Sequence, residues 1–212
     1  MSTQAGNPTN TYTVPSVSIK TAHTGATNKA NALGMRTMQE RAYAKRGEQY
    51  LLIKSPPASG KSRALMFIAL DKLNNQGLQQ AIVVVPERSI GSSFADESLT
   101  QFGFYWDWHV SPQWNLCNAP GVDEVRVAKS KVDAVRKFLS ADDKVLVCTH
   151  ATFRFAVEEL GIQAFDNRLI AIDEFHHVSS NPDSILGTQL TALIERDKTH
   201  LVAMTAFRTA RC

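Results

Sequence analysis

Two short polar stretches hold most of the chemistry this chain could do. Residues 54–62 read KSPPASGKS, a break of two prolines and a glycine between the apolar runs YLLI and RALMFIAL. A lysine and a serine directly after Gly60 suit a polyphosphate. A helix start offers unpaired backbone N–H groups, and its dipole favours an anion. Gly60 lets the backbone come close, Lys61 can reach the β- and γ-phosphates, and the Ser62 hydroxyl can hold Mg2+. Pro57, Ala58 and Ser59 complete the cradle. Ser55 stands where such a loop opens on glycine, which is compatible with the loop if its backbone angles are ordinary. Pro56 and Pro57 stiffen the loop but donate no N–H. A helix start that reads SGKS by chance is the plainer alternative.

The second stretch, LIAIDEFHH, ends an apolar run on Asp173 and Glu174, with His176 and His177 next. Asp173 can hold Mg2+ through water, and Glu174 can orient and deprotonate an attacking water. A solvated acidic turn is one alternative, and a metal site of Asp, Glu and His is another. Taken together, the two stretches point to nucleotide hydrolysis far more specifically than either does alone.

The elements around them should deliver both stretches to one place. YLLIKS (50–55), AIVVVP (81–86), KVLVCTH (144–150), RLIAID (168–173) and HLVAMT (200–205) are short apolar, β-branched runs, read as buried strands. KSRALMFIALDKL (61–73) is apolar on most sides and predicts a buried helix, with Gly77 as its cap. Further helices are expected near Glu87, over 122–139, over ATFRFAVEEL and over TQLTALIERD. The alternation predicts an α/β fold with a mostly parallel sheet and helices on both faces. Ligands of such sheets bind beyond the carboxyl ends of the strands, where both polar stretches fall.

Bulk properties narrow the class. The 212 residues are 43% hydrophobic and 20% charged, with a net charge of +3, enough for one good core and too mild to prove a nucleic-acid partner. Three cysteines (Cys117, Cys148 and Cys212) make no disulfide framework, and Cys148, inside an apolar run, reads as a buried free thiol. The longest fully apolar run, ALMFIAL, is far short of the ~18 residues that span a bilayer. No secretory signal opens the chain, so a reducing, cytoplasmic setting without membrane contact is expected. Residues 1–32 are rich in Ser, Thr and Asn, with no acidic residue before Glu40, and are expected to be a disordered polar tail ahead of a domain at 33–212.

SPPASGKS followed by DEFHH resembles the nucleotide-binding motifs of superfamily 2 helicases of the DExH/DEAD-box type, closest to those grouped with restriction-enzyme translocating subunits. The resemblance runs over roughly residues 35 to 208 and implies the N-terminal RecA-like P-loop ATPase domain. MRTMQ is similar to the element ahead of the loop whose glutamine reads adenine, which implies that role for Gln39. VVVPERS resembles a segment that contacts the nucleic-acid backbone, with Arg88 as the candidate. VCTHATF implies a phosphate contact at Thr149, and AMTAFR resembles the S/T-A-T motif that couples hydrolysis to strand movement, with Thr205 and Ala206 matching, so nucleic acid is expected to cross the sheet edge near Arg88, Thr149 and Thr205. Two departures are Ser55 for glycine and Phe207 where a second threonine is common. Such motors pair two RecA-like domains, the second supplying arginines to the ATP site, and only the first is expected here.

The resemblance implies ATP and Mg2+ as ligands, a nucleic-acid track (DNA in preference to RNA), and a second RecA-like domain in cis or in trans. The rival reading is a truncated, non-hydrolysing ATP-binding module that acts through a partner. A packaging or partitioning ATPase with the same core is a third, which MRTMQ and MTAFR disfavour. Trp106 and Trp108 would share a face on a strand and could stack on unpaired bases, or they could pack beneath a loop. The mixed charges of 122–139 read as a solvated face.

Overall fold

The computed structural model describes residues 16–18, 31–117, 124–179 and 184–206, with only the backbone described for 16–18, 124–129 and 179. Among the described residues six strands form one sheet: β1 (Ser16–Ser18), β2 (Tyr50–Ser55), β3 (Ala81–Val85), β4 (Val145–Thr149), β5 (Leu169–Ile172) and β6 (His200–Ala206). Their spatial order is β1-β2-β6-β5-β3-β4, and every neighbouring pair is parallel. Parallel neighbours need crossover connections, which the helices α2 (Lys61–Asn75), α3 (Glu124–Leu139), α4 (His150–Leu160) and α6 (Ile185–Arg196) supply. A shorter helix α1 (Thr37–Tyr43) precedes β2, and a single turn α5 (His176–Ser179) follows β5.

The central strands are buried on both faces, so they read as continuous apolar runs while their side chains still alternate. Ala81, Val83 and Val85 of β3, Leu169 and Ala171 of β5, and Val202 and Met204 of β6 face a core shared with α1, α2 and the aromatic segment 94–110. Ile82, Val84, Ile170, Ile172, Leu201 and Ala203 face the other core, shared with α3, α4 and α6. This is the expected α/β sheet with helices on both faces, consistent with a RecA-like domain. Cys117 belongs to the first core and Cys148 to the second, both as free thiols, and burial pushes the Cys148 thiol up.

Three features differ from, or add to, the sequence reading. Within the polar segment 1–32, Ser16–Ser18 is a strand that covers the edge of β2, with Ser16 opposite Leu52 and Ser18 opposite Lys54. Most of that segment lies outside the described residues. After β3 the expected α-helix is a 3-10 turn over Arg88–Phe94, where one glycine and three serines favour a tighter, irregular path. The tryptophan segment forms no strand. Trp108 is buried with its Nε1–H donating to the Phe94 carbonyl at 3.1 Å, and Trp114 packs edge-on against Phe138. Their rings belong to the core, which removes both from any base-stacking role; Trp106 also leans on it, half-buried. Among the described residues no helix is long and apolar enough to cross a membrane.

Candidate functional site

β2 ends at Ser55 and α2 begins at Lys61, so the loop between them lies at the carboxyl edge of the sheet. Two of its residues take left-handed backbone angles, Ala58 at φ +58 and Gly60 at φ +86. Ser55 is not among the positive-φ residues, so a Cβ is tolerated there, and its buried hydroxyl lies 2.8 Å from the Ser59 hydroxyl, tying the mouth of the loop together. Gln39 secures the other side. Its Oε1 accepts the Arg36 N–H at 2.8 Å, its Nε2 donates to the Gly60 carbonyl at 3.1 Å, and the side chain is buried. A Cβ on Gly60 would fall 2.6 Å from that amide nitrogen, so a side chain there would displace the Gln39 amide as well as strain the backbone. Lys61 is 8% exposed, held at the N-terminus of α2. Ser62 follows it, half-buried in the first helical turn.

β6 lies between β2 and β5 and sets the distance from this loop to the two acids. Ser55 is in register with Ala206, and Ile172 with Ala203. The chain leaving β5 stays beside β6, since the Phe175 N–H donates to the Met204 carbonyl at 2.7 Å. Glu174 therefore meets the end of β6. Its Oε1 lies 3.9 Å from Lys61 Nζ, and its Oε2 lies 3.2 Å from His176 Nδ1 and 3.4 Å from the Ala206 N–H. His176 Nδ1 is also 3.3 Å from the Thr205 hydroxyl. Asp173 is buried, which pushes its carboxyl up to about 6, and the charge of Glu174 adds to the rise. Its Oδ1 accepts the Glu174 N–H at 2.9 Å. Among the described residues nothing donates to Oδ2. Glu174 itself sits at φ +49, a left-handed angle uncommon for a side chain of its size.

A family model for the DEAD/DEAH box helicases matches residues 36–210. The chain belongs to the DEAD/DEAH box helicase family. It is 54% identical over 189 residues to the Bacillus subtilis (strain 168) protein named "Putative ATP-dependent helicase YeeB", a match that takes in 89% of this chain and 30% of that protein. The chain thus spans under a third of that relative's length. A DEAD/DEAH box domain is an ATP-binding domain.

The other residues singled out in this helicase domain are distributed along the same sheet edge. Arg88 is exposed at the start of the turn after β3, and it is close enough to Lys131 of α3 to add to the effect of burial in holding that amine below its usual range. Thr149 ends β4 and caps α4, its Oγ1 accepting the Thr152 N–H at 3.2 Å. Thr205 is placed apart from these two, against His176 and the acids. Of two histidines at the site, the sequence reading weighed His176 only as a metal ligand beside the acids and passed over His150. His176 links Glu174 to Thr205, and His150 reaches the Asp173 carbonyl at 3.1 Å. The DEFHH spacing could have pointed to the first. No spacing points to the second.

Proposed function

We propose that this chain is the ATP-binding half of an ATP-dependent nucleic-acid helicase or translocase that hydrolyses ATP with the help of Mg2+. The observation that carries the reading is the approach of Lys61 Nζ to Glu174 Oε1 at 3.9 Å, an amine suited to a phosphate beside a carboxylate suited to act as a base. The N–H groups of the loop and of the start of α2 would receive the triphosphate, with Lys61 balancing its charge. Glu174 would orient and deprotonate the attacking water. Gln39, already fixed against Gly60, would meet the adenine from the far side of the loop.

The donor set also suits a magnesium ion. Asp173 is a buried carboxylate with an oxygen that accepts no hydrogen bond from the described residues, and Ser62 offers a hydroxyl on the facing helix. When bound, Mg2+ would neutralise charge on the β- and γ-phosphate oxygens. Arg88, with Lys131 nearby, and Thr149 would meet the backbone of a nucleic acid, DNA in preference to RNA. A second RecA-like domain, in cis or in trans, would supply the arginine that completes the site, a contribution of roughly 10³–10⁵ in rate, so this half alone should turn over slowly.

The test is single-turnover ATP hydrolysis by the chain, with and without single-stranded DNA or RNA. Slow, strand-stimulated turnover is expected, and Glu174→Gln should lower it by about 10²-fold or more with nucleotide affinity retained. ATP binding with no turnover above the Glu174→Gln level would replace this reading with the non-hydrolysing module.

A further inference from the structure

The Asp173–Glu174 peptide carries one candidate catalytic acid on each side, and its carbonyl meets a residue from the end of β4, two strands away in the sheet order. We infer that His150 is a positioning residue that locks this peptide plane and so aims Glu174 at Lys61; the inference rests on the hydrolytic reading above. Thr149 caps α4, which fixes the first residue of that helix, His150, at the carboxyl end of β4. From there the imidazole reaches over β3 to β5, placing Nε2 3.1 Å from the Asp173 carbonyl oxygen. A carbonyl only accepts, so Nε2 carries the proton and donates.

The same peptide is held at its other end. Its N–H, that of Glu174, donates to Asp173 Oδ1 at 2.9 Å. One residue back, the Asp173 N–H donates to the Val84 carbonyl at 2.8 Å, and one residue on, the Phe175 N–H donates to Met204. With both neighbours pinned, the freedom left to the segment is rotation of the Asp173–Glu174 plane. Glu174 stands at φ +49, and rotation of that plane is the motion that would return it to an ordinary negative φ. The rotation would turn the carbonyl away from His150 and the N–H away from Asp173 Oδ1, loosening both acids from the backbone setting in which Glu174 Oε1 stands 3.9 Å from Lys61. His150 therefore opposes the relaxation that the backbone alone would favour.

The experiment compares His150→Phe, which keeps a ring and loses the donor, with His150→Gln, whose amide can donate to the same carbonyl. His150→Ala serves as a second donor-less variant should the Phe variant not fold. Expected is a fall in kcat of roughly ten- to a hundredfold in the donor-less variant, as for a small misplacement of a reacting group. KM and the affinity for a fluorescent ATP analogue should stay within about twofold, and His150→Gln should recover most of kcat. Unchanged kcat in the donor-less variant, or equal losses in the Phe and Gln variants with KM rising in both, would overturn the inference. If the wild-type chain does not hydrolyse ATP, the hydrolytic reading fails by itself, and a crystal structure of the donor-less variant then decides. A negative φ at Glu174 supports the lock, and a retained positive φ sinks it.

Discussion

At the scale of single residues, Gly60 carries two independent demands. Its φ of +86 disfavours any side chain, and a Cβ would press on Gln39 Nε2 at 2.6 Å. The first demand is intrinsic to the backbone, of the order of 1–2 kcal/mol for an L-residue. The second depends on a neighbour that can be removed. Gly60→Ala should therefore lower both urea stability and ATP affinity, while Gln39→Ala combined with Gly60→Ala should recover only the part owed to crowding. Full recovery in the double variant would mean that backbone angle plays no part. Ser55 is the opposite case. It replaces a glycine of the usual loop without strain, because its φ is not positive and its hydroxyl reaches Ser59 across the loop.

At the scale of elements, β3, β4, β5 and β6 could be read from the chain because burial on both faces leaves each as a largely apolar run with little polar alternation to interpret, whereas β2 alternates buried and more exposed positions. The meeting of Lys61 with Glu174 could be anticipated for the same reason, since parallel strands bring their carboxyl ends to one edge. What could not be read was set by distant partners. Ser16–Ser18 is a strand only because the edge of β2 accepts it, and Trp108 is core only because the Phe94 carbonyl and the face of α2 lie over it. Thr149 shows how one side chain can serve an element and a ligand together. Its Oγ1 caps α4, so Thr149→Val should cost about 0.5–2 kcal/mol in urea unfolding, and Thr149→Ser should cost little. If the hydroxyl also meets a nucleic-acid phosphate, the Ser variant keeps strand affinity and the Val variant loses it. Equal affinity in all three proteins would confine Thr149 to capping.

At the scale of the whole molecule, the sheet edge opposite the candidate site is held by a buried cation. Lys72, fully buried near the end of α2, donates to the Glu48 carbonyl at 2.8 Å, to Gln76 Oε1 at 3.3 Å and to His200 Nδ1 at 2.9 Å. An ammonium group has no acceptor, so His200 Nδ1 must be unprotonated and the ring neutral. Burial, then the charge of Lys72, hold His200 down to about 4, and burial holds Lys72 down to about 8. Both shifts make the unfolded chain the better proton binder, so in both windows stability rises with pH. As pH falls from the ordinary histidine value toward 4, the unfolded state takes up a proton that His200 in the fold refuses, and stability is lost. Between about 8 and the ordinary lysine value, stability should rise as the buried amine sheds its charge, by as much as ~3 kcal/mol across the window. Lys72→Met removes the charge that both effects share. In urea titrations from pH 4 to 10 the alkaline rise should vanish in this variant and the acid limb should become shallower. A wild-type profile in Lys72→Met would mean that the amine titrates alike in the folded and the unfolded chain, and that no buried charge holds this edge of the sheet.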